Sequence, residues 1–337
     1  MKGEPVAIEA DDAGRRLDRW LRERYPALTQ GRIEKLLRKG DIRVDGSKAK
    51  SNLRLAEGMA VRVTPLSDAP PPPRGATLSD ADAQAIRSMV IHKDEAVIVL
   101  NKPPGIPVQG GTGQRRHIDG MLPALATGGE VPKLVHRIDK DTSGLLVLAR
   151  TGAAARSLTA AFRSKAARKV YWAAVIGVPK PRGGTIKAAL AKAPGSHGEK
   201  MGVVDPRDLT SRPDAKRAVT DYAVMDTAAT RAAWLTLRPV TGRTHQLRAH
   251  CAAIGHPIVG DGKYGPTSEE AERRLQGAVS RKMHLHACHI RIPHPVKGHP
   301  PLDLRAPLPD HMRHSWDLFG WDAGRTDDDD LLPEWSA

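Results

Sequence analysis

The sequence predicts a mixed α+β protein in two parts: a larger domain built on a mostly antiparallel β-sheet, preceded by a small α/β domain. Three observations carry this reading. The segment Ala69-Pro70-Pro71-Pro72-Pro73-Arg74-Gly75 breaks the composition, because a proline run favours polyproline II and joins neither a helix nor a central strand. Beyond it, strand-like apolar runs (residues 170–175, 233–237 and 284–292) alternate with short helical ones (153–162 and 247–254). Long helical crossovers between successive strands are scarce, so the pairing is expected to be mostly antiparallel. With 337 residues, 40% of them hydrophobic, the chain is long enough for two domains with cores of their own. The expected boundaries are a small basic domain over 1–66, a proline-rich linker over 67–80, the larger domain over 81–318 and a tail over 319–337. The tail holds the like-charged run Asp327 to Asp330 and is expected to be flexible.

In the first domain Leu17, Trp20, Leu21 and Tyr25 recur at helical spacing, with Arg15, Arg16, Arg19, Arg22 and Arg24 on the other faces. A second helix follows Thr29-Gln30-Gly31. Its apolar stripe is Ile33, Leu36 and Leu37, ringed by Arg32, Lys35, Arg38 and Lys39, and Gly40 ends it. Ile42-Arg43-Val44 alternates as a strand, Asp45-Gly46 makes a tight turn, and Val61-Arg62-Val63 closes the unit. Two helices with solvated basic faces satisfy this pattern. So does a platform whose basic side chains neutralise phosphates without reading bases.

The second domain opens on Ala96-Val97-Ile98-Val99-Leu100, a buried-strand run broken by Asn101-Lys102-Pro103-Pro104-Gly105. Its densest segment is Leu134-Val135-His136-Arg137-Ile138-Asp139-Lys140-Asp141-Thr142-Ser143-Gly144, leading into apolar Leu145 to Leu148. A charged loop set against buried strands holds reactive side chains rigidly; a surface turn of compensating charges has the same composition. A second dense segment runs Thr241-Gly242-Arg243-Thr244-His245-Gln246-Leu247-Arg248-Ala249-His250 and on to Gly260-Asp261. Thr244 is placed to cap a helix there, with Arg243 and Arg248 bracketing its first turns. Arginines near a helix N-terminus oppose its dipole, which is tolerable where they bind an anion or pair with a buried carboxylate.

Composition narrows the function. The 53 Lys and Arg against 38 Asp and Glu give a net charge of +15, which favours a polyanionic partner, nucleic acid first. No apolar run reaches about 18 residues, so no membrane span is expected. The N-terminus lacks the apolar stretch of a secretory signal. Two cysteines, Cys251 and Cys288, exclude a disulfide scaffold and fit a reducing cytoplasm. His136-Arg137 is not a protein-kinase catalytic loop, since Ile138 separates Arg137 from Asp139 and no Asp-Phe-Gly occurs. Gly110-Gly111-Thr112-Gly113 is not followed by the Gly-Lys-Ser/Thr of a phosphate-binding loop. His284, His286 and Cys288 share one face of a strand, but a fourth ligand is not evident and no metal site is assigned to them. Cys251 reads as a small buried thiol.

Two resemblances complete the reading. Arg16-Leu17-Asp18, Arg32-Ile33-Glu34-Lys35-Leu36-Leu37 and Gly40-Asp41-Ile42-Arg43-Val44-Asp45-Gly46 resemble the small RNA-binding module named after the small-subunit ribosomal protein S-four. The stretch His136 to Gly144 resembles the signature of the RluA family of pseudouridine synthases. Val99 to Gly105, Arg168-Lys169-Val170-Tyr171, Gly242 to Arg248 and Leu285-His286-Ala287 agree with it in order and spacing. Gly110 to Gly113 with Ile118-Asp119-Gly120 is most similar to the RluC-type branch, which acts on 23S large-subunit ribosomal RNA.

The RluA resemblance implies an isomerase turning RNA uridine into pseudouridine, without cofactor or metal. By it Asp139 is the catalytic aspartate and Arg248 forms the salt bridge holding it. Tyr171 stacks on the target base, and Arg137 fills the gap left when the uridine leaves the RNA stack. Arg243 and His245 join Arg32, Lys35, Arg38, Lys39 and Arg43 in binding RNA. A monomeric cytoplasmic protein working in ribosome biogenesis is expected. Ile138 stands where leucine is usual, a volume-conserving change. The rival readings are an RNA-binding assembly factor that has lost the reaction, and a hydrolase releasing free base or sugar.

Overall fold

The computed structural model describes residues 5–25, 28, 30–64, 78–110, 116–193, 200–266, 275, 277 and 279–333. The chain divides into two units, Met1–Thr77 and Leu78–Ala337. The proline run 70–73 lies outside the described residues, as do Gly111, Thr112 and Gly113.

In the first unit, helices α1 (Leu17–Arg24) and α2 (Gln30–Lys39) pack beside strands β1 (Pro5–Ala7), β2 (Ile42–Val44), β3 (Ser47–Lys48) and β4 (Ala60–Val63). The sheet order is β1-β4-β2-β3, antiparallel throughout. Leu17, Trp20 and Leu21 of α1 meet Ile33 and Leu37 of α2 and Ile42, Val44 and Val61 of the sheet, while Tyr25 and Leu36 are only partly buried. Gly40 ends α2 as predicted: its φ is 85°, and Leu36 O accepts from the N–H groups of Gly40 (3.0 Å) and Asp41 (2.9 Å). Arg32, Lys35, Arg38, Lys39 and Arg43 are exposed. Arg43 also donates to the carbonyls of Gly40 (3.2 Å) and Gly46 (3.0 Å), tying the helix stop to the turn. Strand β1 was not anticipated; three residues are too few to show a period.

The second unit is a mixed sheet. Its strands are β5 (Val90–Lys93), β6 (Val97–Lys102), β7 (Lys133–Leu134), β8 (Ser143–Ala149), β9 (Arg168–Ile176), β10 (Gly183–Lys192), β11 (Met201–Val204), β12 (Lys216–Ala228), β13 (Ala232–Pro239), β14 (Leu285–Ile292) and β15 (Leu302–Arg305). The order is β11-β10-β12-β13-β9-β14-β8-β6-β5, with β15 on β14 and β7 on β8. All pairs are antiparallel except β14 with β8, where His286 lies opposite Ser143 and Ala287 opposite Gly144. Four α-helices longer than a turn flank the sheet among the described residues: α3 (Asp80–Ser88), α5 (Gly152–Arg163), α6 (Gln246–Ala253) and α7 (Asp310–Phe319), with the single-turn α4 (Ile118–Met121).

The continuous apolar runs are strands buried on both faces. Val97, Val99, Leu145 and Val147 face α5 through Ala154 and Leu158. Ile98, Leu100, Leu146 and Leu148 face the other way, onto Ile86, Ile118 and Met121. Strand β9 alternates likewise. Val170, Trp172 and Ala174 pack with Trp234, Trp316 and Trp321, whereas Tyr171, Ala173 and Val175 look toward Leu247 and Cys251 of α6.

The acidic tail departs from expectation. Instead of being flexible, it packs on the second unit: Trp321 and Asp328 are buried. Asp328 accepts from Trp172 Nε1 (2.8 Å) and Arg305 (2.7 Å), and Asp329 pairs with Arg238 (3.2 Å). Asp327 pairs with its neighbour Arg325 (2.6 Å), but Asp328 and Asp329 are neutralised by arginines distant in sequence, which a local reading of charge does not register.

Candidate active site

The dense segment 136–142 has no regular structure, so side chains from elsewhere must hold its backbone. At its start, His136 Nε2 accepts the Val147 N–H (2.8 Å) and its ring stacks on Phe162 at 4.3 Å. Burial pushes this imidazole down to about 3, with Lys169 adding to the effect, so it is a neutral acceptor. In the middle, Lys102 Nζ donates to three carbonyls, of Pro103 (2.8 Å), Ile106 (2.9 Å) and Lys140 (2.9 Å). Burial brings Lys102 down to about 7, while Asp141 and Asp139 pull the other way. At the end, Ser143 Oγ meets His286 Nδ1 (2.9 Å), and His286 Nε2 donates to Ala306 O (3.1 Å). Burial lowers His286 to about 4, so Nδ1 is free to accept the serine proton. Gly144 follows at φ 105°, where a Cβ would stand 2.2 Å from Ala287 O. The parallel strand can pass this close only beside glycine.

The held loop presents Asp139 to α6. Its Oδ2 lies 3.6 Å from Arg248 Nη1 and 3.9 Å from His245 Nε2. The predicted Asp139–Arg248 pair is therefore present, but it is not the arginine's main bond. Arg248 Nε and Nη2 donate to the two oxygens of Asp261, each at 2.7 Å, a bidentate fork in a buried setting. Asp261 Oδ1 also accepts from the N–H groups of Lys263 (2.9 Å) and Tyr264 (3.2 Å). Burial alone would lower the Arg248 pKa; the Asp261 bonds, with the charges of Asp261 and Asp139, outweigh it and raise it. One face of the guanidinium lies over the Tyr264 ring at 5.1 Å.

Thr244 does not cap α6. The capping position is His245, whose φ of 53° is left-handed and whose side chain makes no cap bond. Gln246 secures this end instead, accepting from Thr241 Oγ1 (2.7 Å) and the Arg243 N–H (3.1 Å). A left-handed non-glycine residue costs roughly 1–2 kcal/mol, and here the turn aims the imidazole at Asp139. Met201 N donates to Tyr264 Oη (2.7 Å), which leaves the tyrosine proton for His245 Nδ1 at 3.1 Å. Nε2 then carries the hydrogen facing the carboxylate. Burial lowers the His245 pKa against the pull of Asp139, so the ring is neutral near pH 7.

Arg137, Asp139, Tyr171, Arg243, His245 and Arg248 line one cleft. Arg137 and Arg243 are exposed, whereas Arg248 is buried; Arg243 Nε donates to a backbone carbonyl, of Arg217 (3.2 Å). Tyr171 is half-buried. Burial first, then Asp139 and Cys288, raise its pKa far above the ordinary phenol range, so it stays protonated. Arg32, Lys35, Arg38, Lys39 and Arg43 belong to the first unit.

His284, His286 and Cys288 each have partners of their own: His284 meets Ser315 (2.8 Å), His286 meets Ser143, and Cys288 meets Asp328 (3.7 Å). Burial and then Asp261 push the Cys251 thiol up to about 12, leaving it inert. The sequence reading assigned no role to Asp261, Tyr264 or Lys102. A signal existed for Lys102, a lysine closing a strand that opens on four apolar residues. None existed for the Asp261 fork, which forms only in three dimensions.

An acid–arginine cleft on a mixed sheet, joined in sequence to a basic helix-pair module, defines the class as an enzyme that modifies RNA, and comparison with known proteins makes it specific. Residues 96–253 match the family described as RNA pseudouridylate synthase, and residues 15–61 match the S4 domain. Ribosomal large subunit pseudouridine synthase C of Vibrio vulnificus (strain CMCP6) is 33% identical over 308 residues, covering 91% of this chain and 93% of that protein. The mitochondrial RNA pseudouridine synthase 4 of Arabidopsis thaliana is 33% identical over 393 residues, covering 94% and 82%. The solved structure of human RNA Pseudouridylate Synthase Domain Containing 4 superposes with a TM-score of 0.58 at 30% identity, covering 71% of this chain and 95% of that one. The chain belongs to the RNA pseudouridylate synthase family and is a pseudouridine synthase of the RluA type.

Proposed function

We propose that this enzyme isomerises specific uridines of 23S large-subunit ribosomal RNA, with Asp139 as its essential carboxylate and the target base turned out of the stack. The observation that carries the reading is the cleft itself: Asp139 stands on a clamped loop, 3.6 Å from a buried arginine and beside Tyr171. The ribosomal substrate is supported by the names of bacterial relatives that match over more than nine-tenths of the chain. The reaction breaks the N1–C1′ bond, turns the uracil and joins C5 to C1′. C5 loses a proton and N1 gains one, so electrons and water balance without a cofactor. A carboxylate serves this chemistry as a nucleophile or as a charge beside an oxocarbenium-like sugar.

In this reading Tyr171 stacks on the flipped uracil and Arg137 fills its vacated place in the RNA. Arg248 positions Asp139, and Arg243 and His245 contact RNA at the cleft. Arg32, Lys35, Arg38, Lys39 and Arg43 of the first unit hold phosphates, whose contacts offset the few kcal/mol of unstacking. The enzyme works as a cytoplasmic monomer in ribosome biogenesis. No helix among the described residues is long and apolar enough to cross a membrane. The test is tritium release from ribosomal RNA labelled at uracil C5, with purified enzyme and no additive. Wild type is expected to release tritium. Asp139→Asn is expected to release none while binding RNA within a few fold. Release by Asp139→Asn near the wild-type rate would remove Asp139 from the chemistry, and binding without release by wild type would favour the assembly factor.

A further inference from the structure

At the opposite end of β6 from the catalytic loop lies a second cluster of polar side chains. Strand β6 pairs Lys102 with Gly144 near Asp139 and Val97 with Ala149 at its other end, about 17 Å away by strand rise. There the turn between β5 and β6 brings Asp94 and Glu95 to His294 and His299, from the loop between β14 and β15. One ligand atom from each of Glu95, His294 and His299 lies within 4.8 Å of the others. His299 Nε2 is 3.4 Å from Glu95 Oε1, and His294 Nε2 is 3.3 Å from Asp94 Oδ2. Ligand atoms on a tetrahedral zinc ion stand about 3.4 Å apart, from bonds of roughly 2.0–2.1 Å, so the His294–Asp94 edge of such a site already has its length.

The supporting groups are in place. Asp94 Oδ1 accepts from the Ala96 (2.8 Å) and Val97 (2.7 Å) amides, which fixes the carboxylate and turns Oδ2 outward. His92 Nε2 contacts that same Oδ2 at 2.8 Å. The His294 side chain is 3% exposed, and its Nδ1 lies 3.2 Å from the Val296 N–H and 3.4 Å from the Val296 carbonyl; in the metal-bound form Nδ1 would carry the hydrogen and face the carbonyl. Glu95 and His299 are about half exposed and free to adjust. Among the described residues, the ion partners of Asp94 and Glu95 are all imidazoles. Two carboxylates among three imidazoles offer many lone pairs and few protons.

We propose that this cluster is a binding site for a borderline divalent metal, Zn²⁺ first, held by His294 Nε2, His299 Nε2, Glu95 and Asp94 Oδ2. The His299 ring is stacked on His294, centroids 4.5 Å apart and planes 13° from parallel. Imidazole donates in its own plane, so His299 must turn out of this stack to ligate. The metal staples the edge hairpin to a loop 200 residues away in sequence, and its role is structural.

The experiment uses tag-free full-length protein, stripped with chelator and titrated with Zn²⁺ by calorimetry and with Co²⁺ by visible absorption. The expected result is one equivalent bound and the intense visible bands of tetrahedral Co²⁺. At a hundredfold excess over Kd, Tm is expected to rise by roughly 5 °C. His299→Ala and Glu95→Gln, both at exposed positions, are expected to fold as wild type, weaken binding at least tenfold and cancel the Tm rise. Stoichiometric binding that neither variant alters would place the metal elsewhere and overturn the proposal, as would no binding at all.

Discussion

Asp261 sets what Arg248 can do. With two of its nitrogens committed to that carboxylate at 2.7 Å, the guanidinium offers Nη1 to Asp139 at 3.6 Å. Asp261 is thus a positioning residue acting through Arg248. Asp261→Asn is expected to lower kcat by ten- to a hundredfold with RNA affinity within a few fold, and to cost about 3 kcal/mol of stability because a buried pair loses one charge; single-turnover kinetics and urea unfolding check both. Arg248→Ala should fail in the same two ways, with Arg248→Lys recovering part of the rate, since the charge survives and the fork is lost. Arg243, exposed at the cleft, is the control: Arg243→Ala is expected to raise KM and spare kcat. If it stops turnover on saturating RNA while Arg248→Ala does not, the two arginines have been given each other's roles. At this scale the sequence was informative about Asp139, Tyr171 and Arg248, whose neighbours in the chain mark them. It was silent about Asp261, because a bidentate bond between residues thirteen apart leaves no periodic trace. The Thr244 cap was a reasonable inference from residue type that the left-handed His245 displaced.

Among elements, the second unit depends on neutral histidines: His136 and His286 bond at the two ends of loop 136–142, and His284 and His250 are buried elsewhere. Burial lowers His136 and His284 to about 3 and His286 and His250 to about 4. Each folded value is below the unfolded value near 6.5. As pH falls below about 6.5 the unfolded chain takes up protons that the folded chain refuses, so stability drops from pH 6.5 down to about 3. The urea midpoint is expected to be lower at pH 5 than at pH 7.5; equal midpoints would mean that these rings titrate as freely folded as unfolded. Gly144→Ala should be worse than any side-chain truncation nearby, because its Cβ would stand 2.2 Å from a carbonyl at φ 105°. Little folded protein is expected, and a soluble Gly144→Ala enzyme with wild-type Tm would show that β8 and β14 do not approach as described. Strands β6, β8, β9, β13 and β14 were legible as apolar runs because both faces are buried. Strands β10 and β12 were not singled out; their alternation is diluted by small and charged residues such as Lys187, Ala188 and Ala189.

For the whole molecule, the two units have separate cores, so removing residues 1–64 is expected to leave the second unit folded. RNA binding should weaken, and the slope of log affinity against log salt should shrink by roughly 0.7–0.9 for each phosphate that the shortened chain no longer neutralises. An unchanged slope would mean that the first unit grips something other than RNA. The acidic tail belongs to this scale too. A run of aspartates reads as solvated until Arg305 and Arg238 are known to lie beneath it. The parallel pairing of β8 with β14 carries a further consequence, in the order of synthesis. Ser143 and His286 are 143 residues apart, and the loop between His136 and Ser143 lacks its closing bond until the later residue has been made. The basic helix pair emerges first and has its own core. With the proposed roles of the two units, a chain still on the ribosome is expected to hold RNA long before it modifies it.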